Sequence, residues 1–145
     1  MIRNADEGDF SDLLQMAERF VTQAYSRVNV PFDRESCEDL LWRLLENQDG
    51  ILLTNDDCTA MFGALVHSWH FNTNVKTATE LFWWREEGCT DARAMKQRGE
   101  DMARALGAKT LNMANQEHMR SPALARLYRM DGYVPSENIF IKELC

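Results

Sequence analysis

A mixed α/β fold is predicted for this 145-residue chain by three features of its hydrophobic pattern. Apolar residues recur at helical spacing from Phe10 to Ala24 and again from Cys37 to Leu45. Short apolar runs bounded by turn residues follow at 51–54, 60–66 and 79–84. Helix-period and strand-like segments then alternate to the C-terminus. The length suits one compact domain, 1–145, and neither an internal repeat nor a linker interrupts it.

Taken in order, Ile2 opens a short strand and the Ala5-Asp6-Glu7-Gly8-Asp9 stretch turns the chain. The acidic run Asp6-Glu7-Gly8-Asp9 reads as a solvated helix entry. Phe10, Leu13, Leu14, Ala17, Phe20, Val21 and Ala24 then form one helical face, with Asp9 or Ser11 placed to cap it. Asn29-Val30-Pro31 breaks that pattern. A second helix buries Cys37, Leu40, Leu41, Leu44 and Leu45 and starts near Asp33 or Ser36. Gly50 ends it. Residues 51–54 and 60–66 are joined through Asn55-Asp56-Asp57, which is turn chemistry, so a hairpin is expected. Asn72-Thr73-Asn74 reads as a polar loop. Residues 79–84 carry bulky apolar side chains on both faces, as a strand covered on two sides does.

A third helix is expected over 90–106, with Met95, Gly99, Met102, Ala103 and Leu106 on one stripe. Gly99 costs a helix about 1 kcal/mol relative to Ala, so close packing against the sheet is its expected reason. Gly107 stands where a C-terminal cap belongs. A strand over 110–114 follows. Ser121-Pro122 then gives a cap and a first-position proline for a short helix carrying Leu124, Leu127 and Tyr128. Gly132 closes that helix, and residues 139–144 read as a final strand.

Sixteen Lys and Arg stand against 23 Asp and Glu, for a net charge of -7. Such a chain repels a phosphate backbone instead of drawing on counterion release, so nucleic acid is not an expected partner. No apolar run approaches the roughly 18–20 residues of a membrane helix, and no signal peptide opens the chain; a cytoplasmic location is expected. Cys37, Cys58, Cys89 and Cys145 lack metal-ribbon or disulfide-scaffold spacing and read as reduced thiols. His67 and His70 are three apart on a strand, which directs them to opposite faces, so no metal site is expected.

The order of elements, with particular residues at particular places, resembles the GNAT superfamily of N-acetyltransferases over essentially the whole chain. Ile2-Arg3, Ala5, Asp9 and the Leu13-Leu14 helix look like its first strand and helix. The segment Ala78-Thr79-Glu80-Leu81-Phe82-Trp83-Trp84 is similar to its fourth strand. Leu127-Tyr128 with Gly132-Tyr133 looks like its LY-x-x-x-GF/Y box, and the ending Ile141-Lys142-x-Leu144 fits its last strand. The Glu-Leu-Phe-Trp-Trp wording is similar to that of small acetyltransferase-like proteins of bacteriophages. The resemblance implies a mostly antiparallel central sheet with helices on both faces, acetyl-CoA as co-substrate, and a small-molecule or protein amine as acceptor. It also allows a homodimer. The loops at 28–34 and 68–78 would border the acceptor.

The resemblance further implies that the diphosphate of acetyl-CoA meets Gly88, Thr90, Ala92 and Arg93, where the family carries R/Q-x-x-G-x-G/A before its third helix. Here the stretch reads Glu87-Gly88-Cys89-Thr90-Asp91-Ala92, and only Ala92 matches. Glu87 and Asp91 each place a negative charge near that diphosphate, with Arg85 and Arg93 flanking as compensation. The backbone of Phe82, Trp83 and Trp84 would meet the pantetheine, and Ser121 stands where the family has an Asn that contacts the cofactor. Glu80, a carboxylate on an apolar strand, is a desolvated general-base candidate. Tyr128 matches the family tyrosine that can protonate the leaving thiolate. A second reading follows from the altered loop: a GNAT-fold protein that acts by binding another protein, as a virion component or host-directed inhibitor.

Overall fold

A computed structural model describes residues 1–116, 119 and 121–144. It contains β1 (Ile2–Asn4), a 3-10 turn (Glu7–Asp9), α1 (Phe10–Ala24), α2 (Arg34–Glu46), β2 (Gly50–Asn55), β3 (Ala60–Trp69), β4 (Asn72–Arg85), α3 (Ala92–Ala105), β5 (Ala108–Asn112) and α4 (Ser121–Met130). The strands form one sheet in the order β1-β2-β3-β4-β5, antiparallel except for the β4–β5 pair.

Strand alternation sorts the core into two layers. Leu52, Met61 and Phe82 point to the face covered by α1 and α2, where they meet Leu13, Leu14 and Leu41. Ile51, Leu53, Phe62 and Ala64 point to the opposite face and pack against Met95 and Ala103 of α3. Helices on both faces follow from this two-sided apolar sheet. Gly99 has the reason its sequence suggests: a Cβ there would lie 2.6 Å from the Phe62 ring. Asp33 caps α2 by accepting from the Ser36 N–H at 2.9 Å.

The entry to α1 differs from its sequence reading. Asp6 caps the 3-10 turn and Asp9 completes a capping box, but Asp9 is buried rather than solvated. Its carboxylate accepts two bonds of 2.8 Å from the Arg3 guanidinium, and it also accepts from the Asp6 N–H at 2.9 Å. The paired Arg3 guanidinium holds the Asp9 carboxyl well below the usual range.

Two further expectations are corrected. Asn72-Thr73-Asn74 belongs to β4: Trp69 pairs with Asn72, so only His70 and Phe71 make the turn. Pairing across a tight hairpin outweighs the poor strand propensity of asparagine. Residues 139–144 form no strand; Ile139, Phe140, Ile141 and Leu144 are 82%, 88%, 60% and 91% exposed. Apolar alternation makes a strand only where a neighbour supplies its hydrogen bonds, and none of the described strands pairs with this segment.

The end of α4 is built as the Leu-Tyr-x-x-x-Gly-Tyr sequence dictates. Gly132 takes φ +87, the left-handed conformation that glycine adopts freely, and the Tyr133 N–H donates to the Tyr128 carbonyl at 2.9 Å. The two tyrosine rings then lie tilted against each other, with centroids 5.2 Å apart.

Candidate active site

The site begins with a defect in the β3–β4 ladder. Gly63 pairs with Phe82, yet the next residue, Ala64, pairs with Glu80, leaving Leu81 as an extra residue without a partner across the ladder. This bulge resets the side-chain alternation. Ala78 and Trp83 are five apart and should face opposite ways, but both pack on the α3 side, while Phe82 and Trp84 face α1 and α2. Gly63 permits the arrangement, because the Phe82 ring occupies the space a side chain there would need.

A second feature opens beside the bulge. β5 pairs with β4 only from Lys76 to Thr79, ending at Thr79 opposite Asn112. Beyond that point β4 continues to Arg85 with no described strand on its β5 side. From Glu80 onward this edge of β4 therefore has no ladder partner among the described strands.

Glu80 and Tyr128 meet electrostatically at this parting. Burial pushes the Glu80 carboxyl up to about 8. The Tyr128 phenol is raised well above its ordinary value, first by burial and then by the nearby charge of Glu80. Tyr128 is buried and donates its O–H to the Ala114 carbonyl at 2.7 Å, tying α4 to the chain just after β5. Its ring lies 6.2 Å from Trp83, whose indole N–H donates to the Ala92 carbonyl at 3.1 Å. Phe82, Trp83 and Trp84 therefore spend their side chains on packing and on this anchor.

The loop from β4 to α3 has a definite internal structure. Gly88 has φ +82 and open space around its Cα. Arg85 donates to the Cys89 carbonyl at 3.2 Å. Asp91 precedes the first helical residue, Ala92, without any side-chain cap, so the first-turn N–H groups of α3 receive no carboxylate or hydroxyl from it. Its carboxylate instead accepts from the amide of the buried Asn55 at 3.0 Å. Glu87, Gly88, Thr90 and Asp91 line a polar hollow of about 310 Å³ together with Asn55, Asp57 and Thr59 of the β2–β3 turn. The Asp91 carboxylate, which the sequence placed near a diphosphate, is thus held at the β2–β3 turn, and Glu87 lines the same hollow. Glu86 pairs with Arg19 and accepts from the Trp84 indole at 3.3 Å.

Arg93 donates to Asp131 at 2.6 Å, so this flanking cation is engaged by the end of α4. The same Asp131 accepts from Lys96 at 2.9 Å, and Lys96 reaches Glu100 at 2.8 Å. Lys96 is 0% exposed and sits 4.9 Å from the Tyr133 ring centroid, while the Tyr133 O–H donates to Glu100 at 2.6 Å. This network clamps the α4 end onto α3 and was missed by sequence reasoning. The Lys96-Glu100 spacing was the available signal, but Asp131 is far off in the chain. Ser121 opens α4, and its carbonyl accepts from the Asn115 amide at 3.1 Å.

His67 and His70 do not diverge as strand spacing predicts. Their rings lie 6.2 Å apart, because His70 falls in the turn after β3, where alternation ends. His67 contacts the Thr79 hydroxyl at 2.8 Å. Among the described residues no three His, Cys, Asp or Glu side chains gather as a metal site. Cys37, Cys58 and Cys89 are free thiols, and Cys145 lies outside the described residues. No described helix is long and apolar enough to cross a membrane.

No family model matches the chain, and no curated protein matches its sequence. Solved structures do match it. A putative acetyltransferase from Agrobacterium tumefaciens is 14% identical over 99% of each chain, with a TM-score of 0.72. An aminoglycoside 6'-N-acetyltransferase from Acinetobacter haemolyticus is 14% identical over 100% of this chain and 99% of its own, at 0.66. A glucosamine-6-phosphate N-acetyltransferase from Arabidopsis thaliana is 11% identical over 100% and 98%, also at 0.66. Over 99–100% of its length the chain is similar in fold to these acetyltransferase structures, a mixed α/β fold of the GNAT type.

Proposed function

We propose that the protein is an acyl-CoA-dependent N-acyltransferase acting on a primary amine. The observation that carries this reading is the Glu80–Tyr128 pair, held where β5 parts from β4 and beside a bulge in β4. A carboxyl near pH 8 is matched to taking a proton from an ammonium group at neutral to mildly basic pH. Bound acetyl-CoA supplies a thioester carbonyl to which the amine nitrogen forms its new bond as the carbon–sulfur bond breaks. Glu80 takes the amine proton, directly or through water. Tyr128 gives its hydroxyl proton to the departing sulfur. Leu81, outside the β3–β4 ladder, offers a backbone N–H to the polarised carbonyl oxygen.

The residues at the head of α3 fit a diphosphate. An uncapped helix start presents free N–H groups and the positive end of the helix dipole, which is the usual setting for such an anion. Gly88 lets the backbone come close, and the Asp91 carboxylate is held by Asn55 at the β2–β3 turn. These features offset the loss of the family glycine at Thr90. The backbone of Phe82, Trp83 and Trp84 is left to meet pantetheine, with Ser121 at the start of α4. An acidic chain suits a cationic acceptor, and the loop at 28–34 borders it.

The non-catalytic, protein-binding alternative rests on the engaged Arg93 and the altered loop. Turnover decides between them. Thiol release from acetyl-CoA would be followed with polyamines, aminoglycosides, amino acids and peptides as acceptors. The expected result is amine-dependent release that falls about 100-fold or more in Glu80→Gln. Absence of release with every amine would contradict the enzyme reading. Unchanged turnover in Glu80→Gln would remove Glu80 as the base.

A further inference from the structure

Among the described residues Lys96 is the only buried cation, and the proposed transfer gives it no part. Taking an ammonium group out of water is costly, and an apolar side chain of similar volume is often no less stabilising in such a place. Stability by itself therefore leaves Lys96 without a reason. Its contacts supply one. The ammonium reaches Asp131 at 2.9 Å, Glu100 at 2.8 Å and the Tyr133 ring centroid at 4.9 Å. Glu100 lies one turn further along α3. Asp131 and Tyr133 follow the end of α4, and both hold Tyr128 through the backbone. The Asp131 N–H donates to the Tyr128 carbonyl at 3.1 Å, and the Tyr133 N–H donates to the same carbonyl at 2.9 Å.

Of the ten residues of α4 only Tyr128 is buried, so the helix has little apolar surface with which to seat itself. Arg93 also reaches Asp131, but its side chain is 58% exposed, and a solvated ion pair holds weakly. The Lys96 pair is far less open to water, with the lysine side chain at 0% and the aspartate at 14% exposure. We infer that Lys96 is a positioning residue: through Asp131 and Tyr133 it fixes the Tyr128 hydroxyl for proton donation to the departing sulfur. This rests on the N-acyltransferase reading and deepens it, because one residue gives the proton and another aims it. Removing Lys96 orphans neither carboxylate. Asp131 keeps Arg93 and Glu100 keeps the Tyr133 hydroxyl, each at 2.6 Å. The end of α4 is then held to α3 only by its solvated side, and the Tyr128 hydroxyl is placed less sharply.

Two measurements on the full chain test this, one of them independent of turnover. The chain has three tyrosines, so carbon-13 at the phenol carbon gives three signals, and Tyr128→Phe identifies the one from Tyr128. At pH 7 its chemical shift reports the bond to the Ala114 carbonyl. Lys96→Met should displace or broaden that signal. Lys96→Arg, which keeps the charge and the reach to Asp131, should restore it. The second readout is the single-turnover rate with the amine that gives thiol release from acetyl-CoA. Lys96→Met should lower it about 10- to 100-fold, with half-saturation by acetyl-CoA little changed. In a Tyr128→Phe background the same substitution should cost less than about twofold more. If Lys96→Met does not fold, Asp131→Asn takes its place with the same expectations. An unmoved Tyr128 signal, or losses that multiply in the double variant, would overturn the inference while the N-acyltransferase reading stands. No turnover in the parent protein would sink that reading and, with it, the catalytic purpose of the clamp.

Discussion

Glu80 shows how one residue couples the site to stability. Its carboxyl ordinarily titrates at 4.5 and is pushed to about 8 in the fold. Between those values the folded protein holds a proton that the unfolded chain has released, so stability falls as pH rises through this window. Glu80→Gln cannot ionise and should lose less stability from pH 5 to pH 9. Melting temperatures of the two proteins across that range check this, and parallel curves would contradict it. The same group predicts an activity that rises with pH to an inflection near 8. Asp9 works in the opposite direction. Its carboxyl is held below the ordinary 3.8 by Arg3, so its contribution is complete above about pH 4 and is lost as pH falls below it. Asp9→Asn should cost about 1–3 kcal/mol at pH 7, measured by urea denaturation, and should show a shallower acid limb than the parent.

Among the elements, α3 carries the clearest packing test. Gly99→Ala would gain about 1 kcal/mol of helix propensity and lose about 1–3 kcal/mol by driving a methyl into the Phe62 ring. A lower melting temperature is expected, and a higher one would mean that the ring can step aside. The same glycine illustrates what the sequence discloses. An interior helix glycine has few reasons to exist, so its close approach to the sheet could be read from its type and position. The helical faces of α1 and α2 were equally legible, because burial imposes a 3.6-residue period that strands do not share. β4 was legible only in its apolar half. Asn72, Thr73 and Asn74 are strand because of a hairpin partner, and such pairing leaves little trace in local composition. The bulge at Leu81 was hidden for a related reason: with bulky residues on both faces, a slip in alternation changes nothing in the hydrophobic pattern. Glu80 and Tyr128 stood out by residue type and family likeness. Lys96 did not, since a lysine becomes a core residue only through partners such as Asp131 and Glu100, and Asp131 is distant in the chain.

The whole molecule joins these pieces by a single geometric event, the departure of β5 from β4 after Thr79. The proposed chemistry draws on features of β4 beyond that point: the bulge at Leu81, Glu80 with Tyr128, and the uncapped start of α3, tied to Trp83 through the Ala92 carbonyl. The acidity of the chain gains a local meaning there, because Asn55 holds Asp91 at the β2–β3 turn and Glu87 lines the same hollow. Isothermal titration of the protein with acetyl-CoA is the sharpest check on cofactor binding. Saturable one-to-one binding is expected, rising little in Asp91→Asn because that carboxylate is already engaged by Asn55. A weakened affinity is expected in Ala94→Pro, where a first-turn N–H is removed. No heat at millimolar acetyl-CoA, together with an unshifted melting temperature, would contradict cofactor binding.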